Sequence, residues 1–170
     1  TRSGARVGDA LCVTGTLGGS LLGKHLRFQP RLPEAQFLAR RFRPSAMIDV
    51  SDGLASDLQR LSEQSRVGFE IWADALPISA ALRARKLSRQ NEIRHALTDG
   101  EDYELLFSLP QNRFLALKAA WKKCCRLRLT QIGFVDSRNF GIRLIASPQD
   151  RKVRPFPRAG NDHFKGGSGV

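Results

Sequence analysis

Long apolar runs are missing from this chain: none approaches the ~20 residues that a helix needs to cross a bilayer. No charged-then-apolar segment opens it either, so the expected location is the cytoplasm. Cysteine is scarce, with only Cys12, Cys124 and Cys125. An odd count, an adjacent pair badly placed to bridge with itself and no metal-type spacing exclude a disulfide framework or a zinc finger. They read as free, buried thiols in a reducing compartment. Acidic residues are in deficit, 16 Asp+Glu against 28 Lys+Arg, for a formal charge of +12. Such a field draws nucleic acid, nucleotides and phosphorylated metabolites without choosing among them. The basic residues are scattered as Arg40-Arg41-Phe42-Arg43, Arg83-Ala84-Arg85-Lys86, Lys122-Lys123 and Arg126-Leu127-Arg128. These stand at helix-like spacings beside apolar positions, as on solvated helix faces, which speaks against a dedicated nucleic-acid groove. Repeats and low-complexity tracts are absent.

What is present is an ordinary globular composition, 41% apolar and 26% charged over 170 residues. A chain of this length buries roughly 70% of its unfolded surface without staples. One domain over residues 1–165 is expected, with a flexible tail at 166–170. The opening "TRSGARVGD" has no initiator Met and reads as a piece of something longer.

Periodicity outlines the elements. "ALCVT" (10–14) is a β-prone run ending in the glycine turn Gly15-Thr16-Leu17-Gly18-Gly19-Ser20, after which "LLGKHL" starts a helix. "EAQFLARRF" from Glu34 is helical and ends before Pro44. "AMIDV" is a strand, and a helix from about Gly53 to Ser65 carries Leu54, Leu58 and Leu61 on one stripe. Phe69, Ile71 and Ala73 alternate as in a half-buried strand, residues 79–92 read as one basic helix, and "YELLFSLP" is a strand stopped by Pro110. "QNRFLALKAAWKKCC" is a helix with Phe114, Leu117, Ala120 and Trp121 on one face. "LTQIGFV" and "GIRLIAS" are the last strands, paired across "DSRNFG". About six strands and four helices give an α/β (α+β) fold, a mixed sheet flanked by helices.

Chemistry concentrates in "AMIDVSDGLASDL" (46–58). On a strand Asp49 faces away from Ile48 and Val50, while Ser51 and Asp52 fall where the chain turns into the helix. One reading is structural: Ser51 or Asp52 caps the helix and Asp49 pairs with a donor. A carboxylate inside a strand, however, costs several kcal/mol when it stays charged and unpartnered. The other reading is a divalent cation, because Mg²⁺ takes one or two carboxylates plus phosphate oxygens and water, and a helix N-terminus favours the phosphate.

The second constellation is "LTDGEDYELLF" (97–107), with Asp99, Glu101, Asp102 and Glu104 crowded together in a basic chain. It is either a solvated turn cornered at Asp99-Gly100 or a set of carboxylates that joins the metal or binds substrate. "VTGTLGGS" lacks the Gly-Lys-Ser/Thr ending of a phosphate loop and the full dinucleotide fingerprint, so backbone geometry accounts for its glycines. His25, His95 and His163 have no ligand-like pairing, and Trp72 and Trp121 lie on amphipathic patterns.

Taken together, "GDALCVTGTLGGS", "PRLPEA", "AMIDVSDGLASDL", "DALPIS" and "LTDGEDYELLF", with the closing "GNDHF", resemble the thiamine-monophosphate kinase family in order and approximate spacing. The match spans essentially this whole chain but only the C-terminal half of the family's protein. The resemblance implies a C-terminal fold shared with aminoimidazole ribonucleotide synthetase and selenophosphate synthetase. It also implies ATP-dependent phosphorylation of thiamine monophosphate to thiamine diphosphate by in-line transfer, with Mg²⁺ and no nucleophile-base pair. Carried over by position, Asp49 and Asp52 are magnesium ligands, Ser51 touches ATP and Glu101 contacts the thiamine substrate. Asp57, Asp102 and Glu104 match the motif without an assigned role. The implied partners are the chain's own N-terminal domain and a second copy in a homodimer, with no membrane and no nucleic acid.

Two positions depart from the family pattern. Asp99 replaces a glycine, which requires a turn that tolerates Asp. Asn161 replaces an aromatic suited to stacking on the substrate ring, a place Phe156 or Phe164 can fill. Two other readings stay open: a superfamily relative acting on another phosphorylated or amine substrate, and a non-enzymatic polyanion-binding module motivated by the charge.

Overall fold

The computed structural model describes residues 1–23 and 29–157. Its elements are β1 (Asp9–Thr14), α1 (Leu32–Arg41), β2 (Ala46–Asp49), α2 (Leu54–Ser65), β3 (Gly68–Trp72), α3 (Ala80–Arg83), α4 (Arg89–Thr98), β4 (Leu105–Pro110), α5 (Gln111–Cys124), β5 (Leu129–Asp136), β6 (Ile142–Ile145) and β7 (Val153–Arg154). The strands form one sheet in the order β2-β4-β1-β5-β3-β6-β7. Every pairing is antiparallel except β3 with β6.

The apolar run of β1 is explained by burial on both faces. Leu11 and Val13 enter one core with Leu54, Leu58 and Leu61 of α2, Leu82 of α3, and Ile93, Ala96 and Leu97 of α4. Ala10 and Cys12 enter a second core with Leu38 of α1 and Phe114, Leu117 and Trp121 of α5. The sheet is thus packed between two helical layers, and the leucine stripe of α2 does what its spacing predicts. Cys12 is buried in the second core, where loss of hydration pushes its thiol pKa far above the usual range. Cys124 is exposed, contrary to the expectation of buried thiols.

Three sequence-based expectations need correction. The basic stretch 79–92 is not one helix: Ser79 caps α3, Lys86 turns into a left-handed conformation at φ 52°, and Ser88 caps α4. β6 does not form a hairpin with β5; it pairs in parallel with β3, Phe69 opposite Ile142, so β3 lies between them. The two-residue β7, too short to leave a periodic signal, extends the sheet to a seventh strand. The residues expected to carry chemistry lie toward the other edge, where β2 is outermost.

Candidate active site

β2 ends at Asp49, which is exposed on the edge strand, while Ile48 and Val50 on either side are buried. The desolvation cost expected for this carboxylate therefore does not arise. Beyond it the backbone of residues 50–51 is laced to the acidic loop: Val50 N–H donates to Glu104 O at 2.8 Å, Tyr103 N–H to Val50 O at 2.8 Å and Glu101 N–H to Ser51 O at 2.7 Å. The approach is close enough to exclude side chains. A Cβ on Gly53 would lie 3.0 Å from Thr98 O, and one on Gly100 would lie 3.0 Å from Ser51 O.

Neither Ser51 nor Asp52 caps α2. The N-cap is Gly53, which has no side chain to offer. Asp57, one turn inside the helix, reaches back and accepts the N–H groups of Ser51 at 2.9 Å and Asp52 at 3.1 Å. Its carboxylate is fully buried and pairs with Arg60 at 2.8 Å, and Arg60 also pairs with Asp52. Burial pushes the Asp57 pKa up, offset in part by the two N–H donors and the guanidinium.

The acidic loop is no solvated turn. Asp102 and Glu104 are each 1% exposed. Asp102 accepts Gly18 N–H at 2.9 Å, Asp99 accepts Gly19 N–H at 2.8 Å, and Ser20 Oγ donates to Gly100 O. Glu104 takes Thr14 Oγ1 at 2.9 Å and both arms of Arg31 at 2.9 Å. The buried strand-edge carboxylate that needs a partner is thus Glu104, and its partner comes from the start of α1. Asp99 sits at φ −68°, ψ 127°, an ordinary conformation for any residue, which accounts for Asp where the family pattern has glycine. It also holds His95 Nδ1 at 2.9 Å. Glu101 and Tyr103 occupy left-handed conformations at φ 63° and 50°. Each costs about 1–2 kcal/mol in a non-glycine residue, strain that the anchored Asp102 between them sustains.

Three segments far apart in sequence thereby become one rigid edge. Ser51, Asp52 and Glu101 share the laced loops, and Asp49 stands at the strand end in register with Leu105. Sequence reasoning missed Arg31, Arg60 and the buried role of Glu104. The readable signal was a carboxylate directly ahead of the apolar run Leu105-Leu106-Phe107, which demands a cation that "PRLPEA" supplies. His25, His163, Asn161 and Phe164 lie outside the described residues. Phe156 packs against the first core, Trp121 is buried, and Trp72 is half-buried edge-to-face with Phe134 at 6.0 Å. An open cleft lined by Arg40, Arg41, Phe42, Arg43 and Arg113 lies at the C-terminal end of α1 and includes none of the expected site residues.

Asp49 and Asp52 are exposed carboxylates, Asp52 paired with Arg60, and among the described residues no three His, Cys, Asp or Glu side chains gather to hold a metal. Two such oxygens are what an ion completing its shell with phosphate and water would ask of a protein.

Fold and site together define an α+β domain that presents carboxylates and rigid backbone at one edge of a mixed sheet. Residues 8–140 match the family model described as AIR synthase related protein, C-terminal domain, and the chain belongs to that family. The chain is 40% identical over 156 residues to the thiamine-monophosphate kinase of Rhodopirellula baltica, covering 91% of this chain and 48% of that protein. Among solved structures it resembles the thiamine-monophosphate kinase of Stenotrophomonas maltophilia K279a, with TM-score 0.74, 34% identity, and 86% and 52% of the two chains covered. It also resembles AaThiL complexed with AMPPCP and TMP, with TM-score 0.69, 31% identity, and 91% and 52% covered. The chain spans about half the length of these relatives.

Proposed function

We propose that this chain is the C-terminal half of an enzyme that transfers the γ-phosphoryl group of ATP to thiamine monophosphate, giving thiamine diphosphate. The reading is carried by the backbone bond that brings Glu101 to Ser51, with Asp52 next in the chain, in a chain 40% identical over 91% of its length to a protein that carries the kinase name. Phosphoryl transfer asks chiefly for positioning and charge neutralisation, and this edge offers both.

Asp49 and Asp52 would hold magnesium, which when bound neutralises phosphate charge. Ser51 contacts the nucleotide. Its backbone is pinned by Asp57 on one side and Glu101 on the other. Glu101, strained and held at its N–H, presents its carboxylate to the thiamine substrate. No side chain need act as nucleophile. One domain over residues 1–165, an ATP-binding remainder, a homodimer and a cytoplasmic setting belong to the same proposal. Among the described residues no helix is long and apolar enough to cross a membrane.

The experiment is to assay thiamine diphosphate formation by the full-length enzyme, with Asp49→Asn, Asp52→Asn and Glu101→Gln. Each Asp change is expected to lower kcat/KM by about 100-fold or more, and rates within a few-fold of the parent refute the ligand assignment. The 170-residue chain alone is expected to be inactive. Asn161, where an aromatic is expected, keeps a second reading in view, a relative acting on another phosphorylated substrate. ADP release from a substrate panel but not with thiamine monophosphate would favour it.

A further inference from the structure

Arg60 bridges two carboxylates of different kinds. One arm of its guanidinium meets Asp57 at 2.8 Å, a buried acid itself fixed by the N–H groups of Ser51 and Asp52. The other meets Asp52, whose side chain is 56% exposed, while Arg60 is 47% exposed. The two contacts differ in how easily they break. Releasing Asp57 would leave a buried acid without its cation, whereas releasing Asp52 returns both groups to water at little cost.

We propose that Arg60 is a tethered resident cation: it occupies Asp52 when no metal is present and sets how tightly a divalent ion is held there. This rests on the reading of Asp52 as a metal ligand. An ion that binds Asp52 competes with one arm of Arg60 for the carboxylate, and the other arm keeps the guanidinium beside the site. The freed arm is then a spare positive charge in a fork that suits phosphate oxygens. The edge is consequently a poor trap for a bare ion and a better one for an ion that arrives on a nucleotide. Asp57 is the anchor of the device and Arg60 its moving part, so Arg60 is a positioning residue.

The test uses Mn²⁺ as the probe, titrated into full-length enzyme without nucleotide while free Mn²⁺ is followed by electron paramagnetic resonance. Arg60→Gln keeps an N–H for Asp57 and loses the charge; Arg60→Met serves if the first variant folds poorly. Both are expected to bind Mn²⁺ about three- to tenfold more tightly than the parent, with the gain shrinking as salt is added. Arg60→Lys, which keeps the charge but loses the second arm, is expected to fall between the parent and the neutral variants. If both neutral variants bind Mn²⁺ no more tightly while Asp52→Asn binds it less well, the role of Arg60 is overturned and the metal reading stands. If Asp52→Asn leaves Mn²⁺ binding unchanged, the metal reading falls and takes the proposal with it. A lower Tm with unchanged Mn²⁺ affinity in Arg60→Gln also counts against the proposal, since a purely structural bridge gives that result.

Discussion

Arg31 and Glu104, 73 residues apart, meet in a two-armed fork at 2.9 Å on each side. Glu104 is the more buried partner, and the bond holds the first turn of α1 against the start of β4. Arg31→Met is expected to destabilise the protein by about 3 kcal/mol, because it strands a buried charge. Glu104→Gln, which removes that charge but keeps an acceptor for Thr14, is expected to cost less. Urea unfolding of the two single variants and the double variant measures the coupling. Additive effects would show that the fork contributes nothing as a unit.

Gly15 and Gly8 both have positive φ, +59° and +88°, but only one is crowded. A Cβ on Gly15 would fall 2.2 Å from Glu104 Oε1, whereas one on Gly8 meets nothing within 4 Å. Gly8→Ala is expected to cost about 1 kcal/mol, the left-handed penalty alone. Gly15→Ala is expected to cost several-fold more, since it also pushes a buried carboxylate off Arg31 and Thr14. Thermal unfolding ranks the two, and equal losses would mean that the turn yields without disturbing Glu104.

Asp57 titrates with the opposite sign to most native carboxylates. Its folded pKa is raised above the ordinary 3.8, so the folded state binds the proton more tightly than the unfolded chain does. Its contribution to stability is then greatest in acid and is lost as pH rises from below 3.8 through the folded value. The stability difference between the parent and Asp57→Asn, followed by urea unfolding across the acid range, is expected to move against the parent as pH rises and then level off. A difference that moves toward the parent would mean that the N–H donors and Arg60 outweigh burial.

The thiols should separate by exposure. Cys124 is exposed, while Cys12 is buried and its pKa is held far above the usual range. Brief alkylation of native protein followed by mass spectrometry is expected to modify Cys124 well before Cys12, which should react only on unfolding. Early labelling of Cys12 would indicate that β1 opens locally.

The elements with strong period were legible: β1, the leucine stripe of α2 and the apolar face of α5 each follow from residue spacing. So was the location of the chemistry, because acids are conspicuous in a basic chain. What escaped was whatever depends on contacts across the sequence. Ser88, which with Lys86 divides the basic stretch into α3 and α4, is ordinary in sequence and decisive only as a cap. The parallel partner of β6 is chosen by the core under β3 rather than by the turn after β5. The same holds in the site, where Asp49 looked buried because its neighbours are apolar, yet an edge strand leaves its carboxylate in water. Glu104 lies in an acidic run that reads either as a solvated turn or as a metal- or substrate-binding set, and Thr14 and Arg31 draw it inside.

Residues 98–104 are hydrogen-bonded to 14–20 on one side and to 50–51 on the other, which ties the length of this segment to both neighbours. A residue inserted into 98–104 would shift its donors and acceptors out of step with both neighbours at once, and one inserted into either neighbour would break that neighbour's match with 98–104. Change along this edge over evolutionary time is therefore channelled into exchange of side chains at constant spacing. Growth and shrinkage are left to the surface connections elsewhere, and an aligned family should show its gaps there.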